Sequence, residues 1–80
     1  MRIVYILTSQ KYPKRCYIGL TQDLKRRIKE HNNGDSIYTK RYGPWKLQTY
    51  TVFINEKRAE QFETYLKSGS GFAFLKRRFL

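Results

Sequence analysis

Cysteine, histidine and acid are all scarce in this chain of 80 residues, which has one Cys, one His and six Asp plus Glu. The lone Cys16 excludes an internal disulfide, and one Cys with one His is too few for a zinc site built from protein ligands alone. Long apolar runs are missing as well. Eighteen apolar residues never follow one another, and the run ended by Thr8 is too short for a signal-peptide core, so the expectation is a soluble cytoplasmic protein with no membrane partner. The length predicts one domain over residues 1–80, which buries only roughly 60 to 65% of the surface its unfolded chain exposes. Nothing in the sequence specifies an oligomeric state.

Cations and aromatic rings are abundant. Seventeen Lys plus Arg give a formal net charge of +11 and a pI near 10.1, a field that favours a polyanionic partner. Nucleic acid is the first expectation and an acidic membrane surface the second; solubility alone does not require so one-sided a balance. Seven Tyr and five Phe predict an aromatic-rich core, since each ring buries a large area while a Tyr hydroxyl can still reach solvent or substrate.

The patterning predicts an α+β chain in the order β-β-α-β-α-α. Ile3 to Leu7 is a β-branched run suited to a strand buried on both faces, and Cys16 to Gly19 resumes after the basic connection SQKYPKR, so the two strands form an antiparallel hairpin. Gly19 closes the second strand. Thr21 or Asp23 can cap a helix from Leu24 to His31, which Asn32, Asn33 and Gly34 end. DSIYTKRYGP reads as a polar loop in which Tyr38 and Tyr42 interleave with Lys40 and Arg41, either simply solvated or in contact with nucleic acid. Trp45 to Ile54 alternates as the third strand, with Trp45, Leu47, Thr49, Thr51 and Phe53 on one side. Asn55 caps a helix running to about Lys67, SGSG closes it, and FAFLKRRFL forms a short core-covering helix.

Two helical arcs carry the chemistry. Leu24, Arg27, Ile28 and His31 share one arc of the first helix, and Ala59, Phe62, Glu63 and Leu66 share one arc of the second. Glu63 is thereby a carboxylate on an inward stripe and needs a cation, either a structural partner such as Arg27 or a metal whose further ligands come from substrate phosphate. Tyr5 and Tyr17 lie on paired strands and can present hydroxyls to the same end as Arg27. Two phenols beside an Arg, a His and a Glu suggest phosphodiester hydrolysis. Lys14, Arg15, Arg26, Lys40 and Arg41 are candidate nucleic-acid contacts.

The chain resembles small standalone members of the GIY-YIG nuclease superfamily. Tyr17-Ile18-Gly19 stands intact as the second tripeptide, Tyr5 precedes Tyr17 by eleven intervening residues, and Arg27, His31 and Glu63 follow at family-like spacings. YIGLTQDLKRRIKEHNNG, GPWKL and AEQFETYLKSGSG also resemble the short bacterial members. The first tripeptide reads Ile3-Val4-Tyr5 and lacks the family's glycine, and the asparagine that some members carry after the Glu-bearing helix has no counterpart from Phe72 to Leu80. The resemblance implies a three-stranded antiparallel sheet flanked by helices. It further implies Glu63 as the single protein ligand of Mg²⁺ or Mn²⁺, Arg27 on the transition-state phosphate, one of Tyr5 and Tyr17 activating water while the other orients it, and His31 assisting by hydrogen bonding. A base role for a phenol requires its pKa to be lowered from about 10. The expected activity is metal-dependent endonucleolytic cleavage of nucleic acid, with DNA as the first substrate and RNA the second. The alternative is a weakly active or inactive nucleic-acid-binding module or accessory subunit.

Overall fold

The computed structural model describes residues 1–34 and 36–80. Three strands, β1 (Arg2–Ser9), β2 (Cys16–Thr21) and β3 (Trp45–Phe53), form an antiparallel sheet in the order β2-β1-β3. β1 is central because it is the most apolar, with Val4 to Leu7 almost wholly buried. Helices α1 (Leu24–Asn32) and α2 (Ile37–Tyr42) cover one face, and α3 (Glu56–Lys67) and α4 (Gly69–Arg78) cover the other.

Side chains on one strand alternate between the two faces, and the core divides accordingly. Val4, Ile6 and Ile18 join Ala59, Leu66 and Leu75 in an aliphatic layer under α3 and α4. Tyr5, Leu7 and Trp45 form an aromatic layer under α1 and α2, flanked by Tyr17, Leu24, Ile28, Tyr38 and Tyr42.

The helices begin where short polar side chains satisfy their free N–H groups. Asp23 accepts from Arg26 N, Asn55 from Arg58 N and Ser68 from Gly71 N. Asp23, one of the two expected caps, therefore starts α1, while Thr21 Oγ1 accepts from Asp23 N at 3.1 Å and sets up the turn. Ser68 both ends α3 and starts α4, so the SGSG run opens the last helix as well as closing the one before it. Only glycine fits at position 71, where a Cβ would strike the Tyr65 carbonyl at the helix crossing.

Two expectations change. The segment read as a loop contains α2, because Ser36 and Thr39 form a reciprocal capping box; Asp35, the loop's first residue, lies outside the described residues. The inward face of β3 also switches. Ile6 pairs with Thr49 but Leu7 with Leu47, so Gln48 is an extra residue in β3. This bulge puts Trp45 and Leu47 on the aromatic face and Thr49, Thr51 and Phe53 on the aliphatic one, dividing a set that strict alternation had placed together.

Candidate active site

The site is centred on Tyr5, whose register opposite Gly19 sets the position of its ring. A Cβ at residue 19 would collide with Tyr5 Cζ and Oη, so glycine is what lets the phenol cross β2 toward the sheet edge. There Tyr5 Oη lies 2.7 Å from Nε2 of the buried His31 on α1. Tyr17, two residues before Gly19 on the same face of β2, completes an aromatic trio. Its ring centroid is 4.4 Å from that of His31 and 6.2 Å from that of Tyr5.

Arg27 stands one turn before His31 on α1, facing Tyr5 and Tyr17 as well as Glu30. Its Nη1 donates to Glu30 Oε1 at 2.8 Å, and this bond, ahead of the two phenols, raises its pKa above the usual arginine value. Glu63 on α3 is half-buried within electrostatic reach of Tyr5. Its cation partner is Lys67 Nζ, 3.3 Å from Oε2. The structural alternative of an Arg27–Glu63 pair is thus replaced by two pairs, one within α1 and one within α3, at spacings of three and four residues.

Burial, then the neighbouring Tyr17, pushes the Tyr5 phenol up to about 12, against the lowering effect of Arg27. The protein groups around Tyr5 therefore move its pKa away from the lowered value that a base role demands. At pH 7 such a group is phenolate in roughly one molecule in 10⁵.

One half-buried carboxylate is the donor that the site offers a metal; among the described residues no three His, Cys, Asp or Glu side chains come together as a metal-binding group. That donor set fits a hard divalent ion such as Mg²⁺, which keeps several waters and takes phosphate oxygens, and does not fit a metal needing nitrogen or sulfur ligands.

The predicted phosphate contacts separate into groups. Arg15 and Arg41 converge on Tyr42, with guanidinium carbons 4.6 and 5.5 Å from the ring centroid, and Tyr12 packs edge-on against the same ring at 5.4 Å. Arg26 is on the outer side of α1, 3.7 Å from Glu30. Lys40 lies on the exposed side of α2, and Lys14 is in the β1–β2 connection near Phe72 and Lys76. Tyr38, expected in a solvated loop, is instead half-buried: its hydroxyl donates to Cys16 O at 3.1 Å and its ring stacks on Trp45. Burial raises its pKa. Sequence reasoning missed Glu30 and Lys67 as partners, although their helical spacing from Arg27 and Glu63 was available as a signal.

Two phenols, an imidazole, a guanidinium and a carboxylate thus meet on a small α+β scaffold, a set suited to phosphodiester chemistry. The chain belongs to the GIY-YIG family, matching the GIY-YIG catalytic domain over residues 1–76. It is 41% identical over 68 residues to a UPF0213 protein of Clostridium perfringens, covering 84% of this chain and 71% of that one. A structure-specific endonuclease subunit SLX1 homolog of Giardia intestinalis is 47% identical over 55 residues, covering 65% of this chain and 15% of the relative. The chain therefore spans only a small part of that longer protein. The solution NMR structure of a UPF0213 protein from Bacillus halodurans superimposes with a TM-score of 0.58 at 30% identity, covering 99% of this chain and 87% of the other.

Proposed function

We propose that residues 1–80 act as one domain that cleaves phosphodiester bonds endonucleolytically in DNA, with a divalent metal, Mg²⁺ or Mn²⁺, as cofactor. The observation that carries this reading is the convergence of the Tyr5–His31 hydrogen bond, Tyr17, Arg27 and Glu63 at one end of the sheet. A net charge of +11 and the similarity to proteins named as structure-specific endonuclease subunits support it.

In this mechanism Tyr17 is the phenol that accepts a hydrogen bond from the attacking water. It is half-exposed, whereas Tyr5 is buried and held protonated. Tyr5 donates and orients, with His31 fixing its hydroxyl. Arg27 turns from Glu30 to the phosphate, where charge grows as the water oxygen bonds to phosphorus and the bond to the departing sugar oxygen breaks. The water's proton passes to solvent by way of Tyr17, and the leaving oxygen takes one up from solvent. A fixed cation there stabilises the transition state more than the ground state. Glu63 would hold the metal, which supplies Lewis-acid polarisation of the phosphate when bound.

The test is incubation with branched, nicked, single-stranded and duplex DNA and RNA in Mg²⁺, Mn²⁺ or EDTA. Cleavage of DNA that stops with chelator and with Glu63→Ala, while salt-sensitive binding persists, is the expected result. Metal-independent cleavage, or cleavage indifferent to Glu63→Ala, overturns the mechanism. Binding without cleavage across the panel makes the protein a binding module.

A further inference from the structure

We infer that the outer edge of β2 is a track for single-stranded nucleic acid, along which an unpaired stretch of substrate leaves the catalytic centre. This rests on the nuclease reading only for the place where the track begins. A groove of about 400 Å³ is lined by Cys16, Tyr17, Ile18, Tyr38, Lys67 and Phe72. Tyr17 and Ile18 point to opposite faces of the sheet, so a groove lined by both crosses the free edge of β2, between α2 and α4.

A second groove of about 410 Å³, lined by Pro13, Lys14, Phe72, Lys76 and Leu80, continues the first, and the two share Phe72. The start of the track is fixed by two side chains. Lys67 Nζ is 3.3 Å from Glu63 Oε2, and the Tyr17 ring packs on His31. Beyond them, Lys76 Nζ lies 5.8 Å from the centroid of the Phe72 ring, which is 38% exposed on α4.

Rings and lysines thus alternate along the edge, and no acidic side chain among the described residues lines either groove. Single strands are held in this way, by cations along the backbone and aromatic rings against base faces. A duplex offers the same phosphates, but its base faces are already stacked and leave Phe72 nothing to stack on. The charge complementarity and the exposed rings together select an unpaired strand.

Fluorescence anisotropy in EDTA, with a labelled short oligothymidylate and a duplex of equal length, tests this without cleavage. Phe72→Ala should weaken single-strand binding by about tenfold and leave duplex binding within about twofold, as expected for loss of one stacking platform. Phe72→Leu, which keeps apolar bulk without a ring, should show the same selective loss and serves where the Ala variant folds poorly. Phe74→Ala, which removes an α4 ring outside both grooves, should change neither. Lys76→Gln should reduce the slope of log affinity against log salt for the single strand by about 0.7. Equal losses for single strand and duplex, or no loss in either Phe72 variant, overturn the track. Failure here leaves the nuclease reading standing, and absence of cleavage with a selective Phe72 effect leaves the track standing.

Discussion

The two faces of the sheet are built from the same three strands and are chemically unlike. Under α3 and α4 lie Val4, Ile6, Ile18, Ala59, Leu66 and Leu75, an aliphatic cluster. Under α1 and α2 lie Tyr5, Leu7 and Trp45 with Tyr17 and Tyr38 packed against them, and His31 is buried against the Tyr5 hydroxyl. Residues of β1 therefore serve opposite purposes: Val4 and Ile6 fill an aliphatic core, and Tyr5 between them projects a hydroxyl into a polar cluster. In a chain this small, one layer cannot both maximise apolar burial and hold a buried phenol and imidazole, which are stable only when hydrogen-bonded. Dividing the tasks between faces lets the aliphatic layer stabilise the fold while the aromatic layer tolerates buried polarity.

Substitutions on each face should then fail differently. Arg27→Ala should have the largest effect, reducing cleavage by about 10³-fold, or about 4 kcal/mol of transition-state stabilisation. Its ion pair with Glu30 is about one-third exposed on each side, so unfolding should change by less than about 1 kcal/mol. Single-turnover kinetics and urea denaturation measure the two separately. On the other face, Leu66→Ala removes a fully buried side chain and should cost about 3 kcal/mol in urea, while the molecules still folded retain cleavage.

Gly19→Ala couples the faces least cleanly, since its Cβ displaces Tyr5. A loss of about 2 kcal/mol accompanied by a drop in cleavage is expected, and full activity would show that the Tyr5 position is not critical. Tyr5→Phe removes the buried hydrogen bond to His31 Nε2 and should cost about 1 kcal/mol near neutral pH. Because the folded-state pKa of Tyr5 lies above the unfolded value, its contribution is complete below about pH 10 and is lost as pH rises toward about 12. Denaturation midpoints across that window should fall more steeply for the parent than for Tyr5→Phe, and ultraviolet titration should lose its late-ionising tyrosine in the variant.

Much of this was legible because it is local. Helical spacing put Arg27 and His31 on one arc and Glu63 on another, and both arcs face the site; Asp23 and Asn55 cap helices where their side chains suggested. The Ser36–Thr39 capping box was equally local, but a run crowded with Tyr, Lys and Arg obscured it.

By itself the sequence determined the strands and the main helices, the excess of positive charge, and which side chains of α1 and α3 turn inward, since all of these follow from composition and from periods of two and 3.6 residues. Tertiary structure alone decided the bulge at Gln48 that splits β3 between faces, the bond between Tyr5 and His31, and the edge groove that joins Tyr17 and Tyr38 to Phe72. Each of these depends on residues brought together across the sheet, and strand register and through-space distance are not written in the spacing along any one segment.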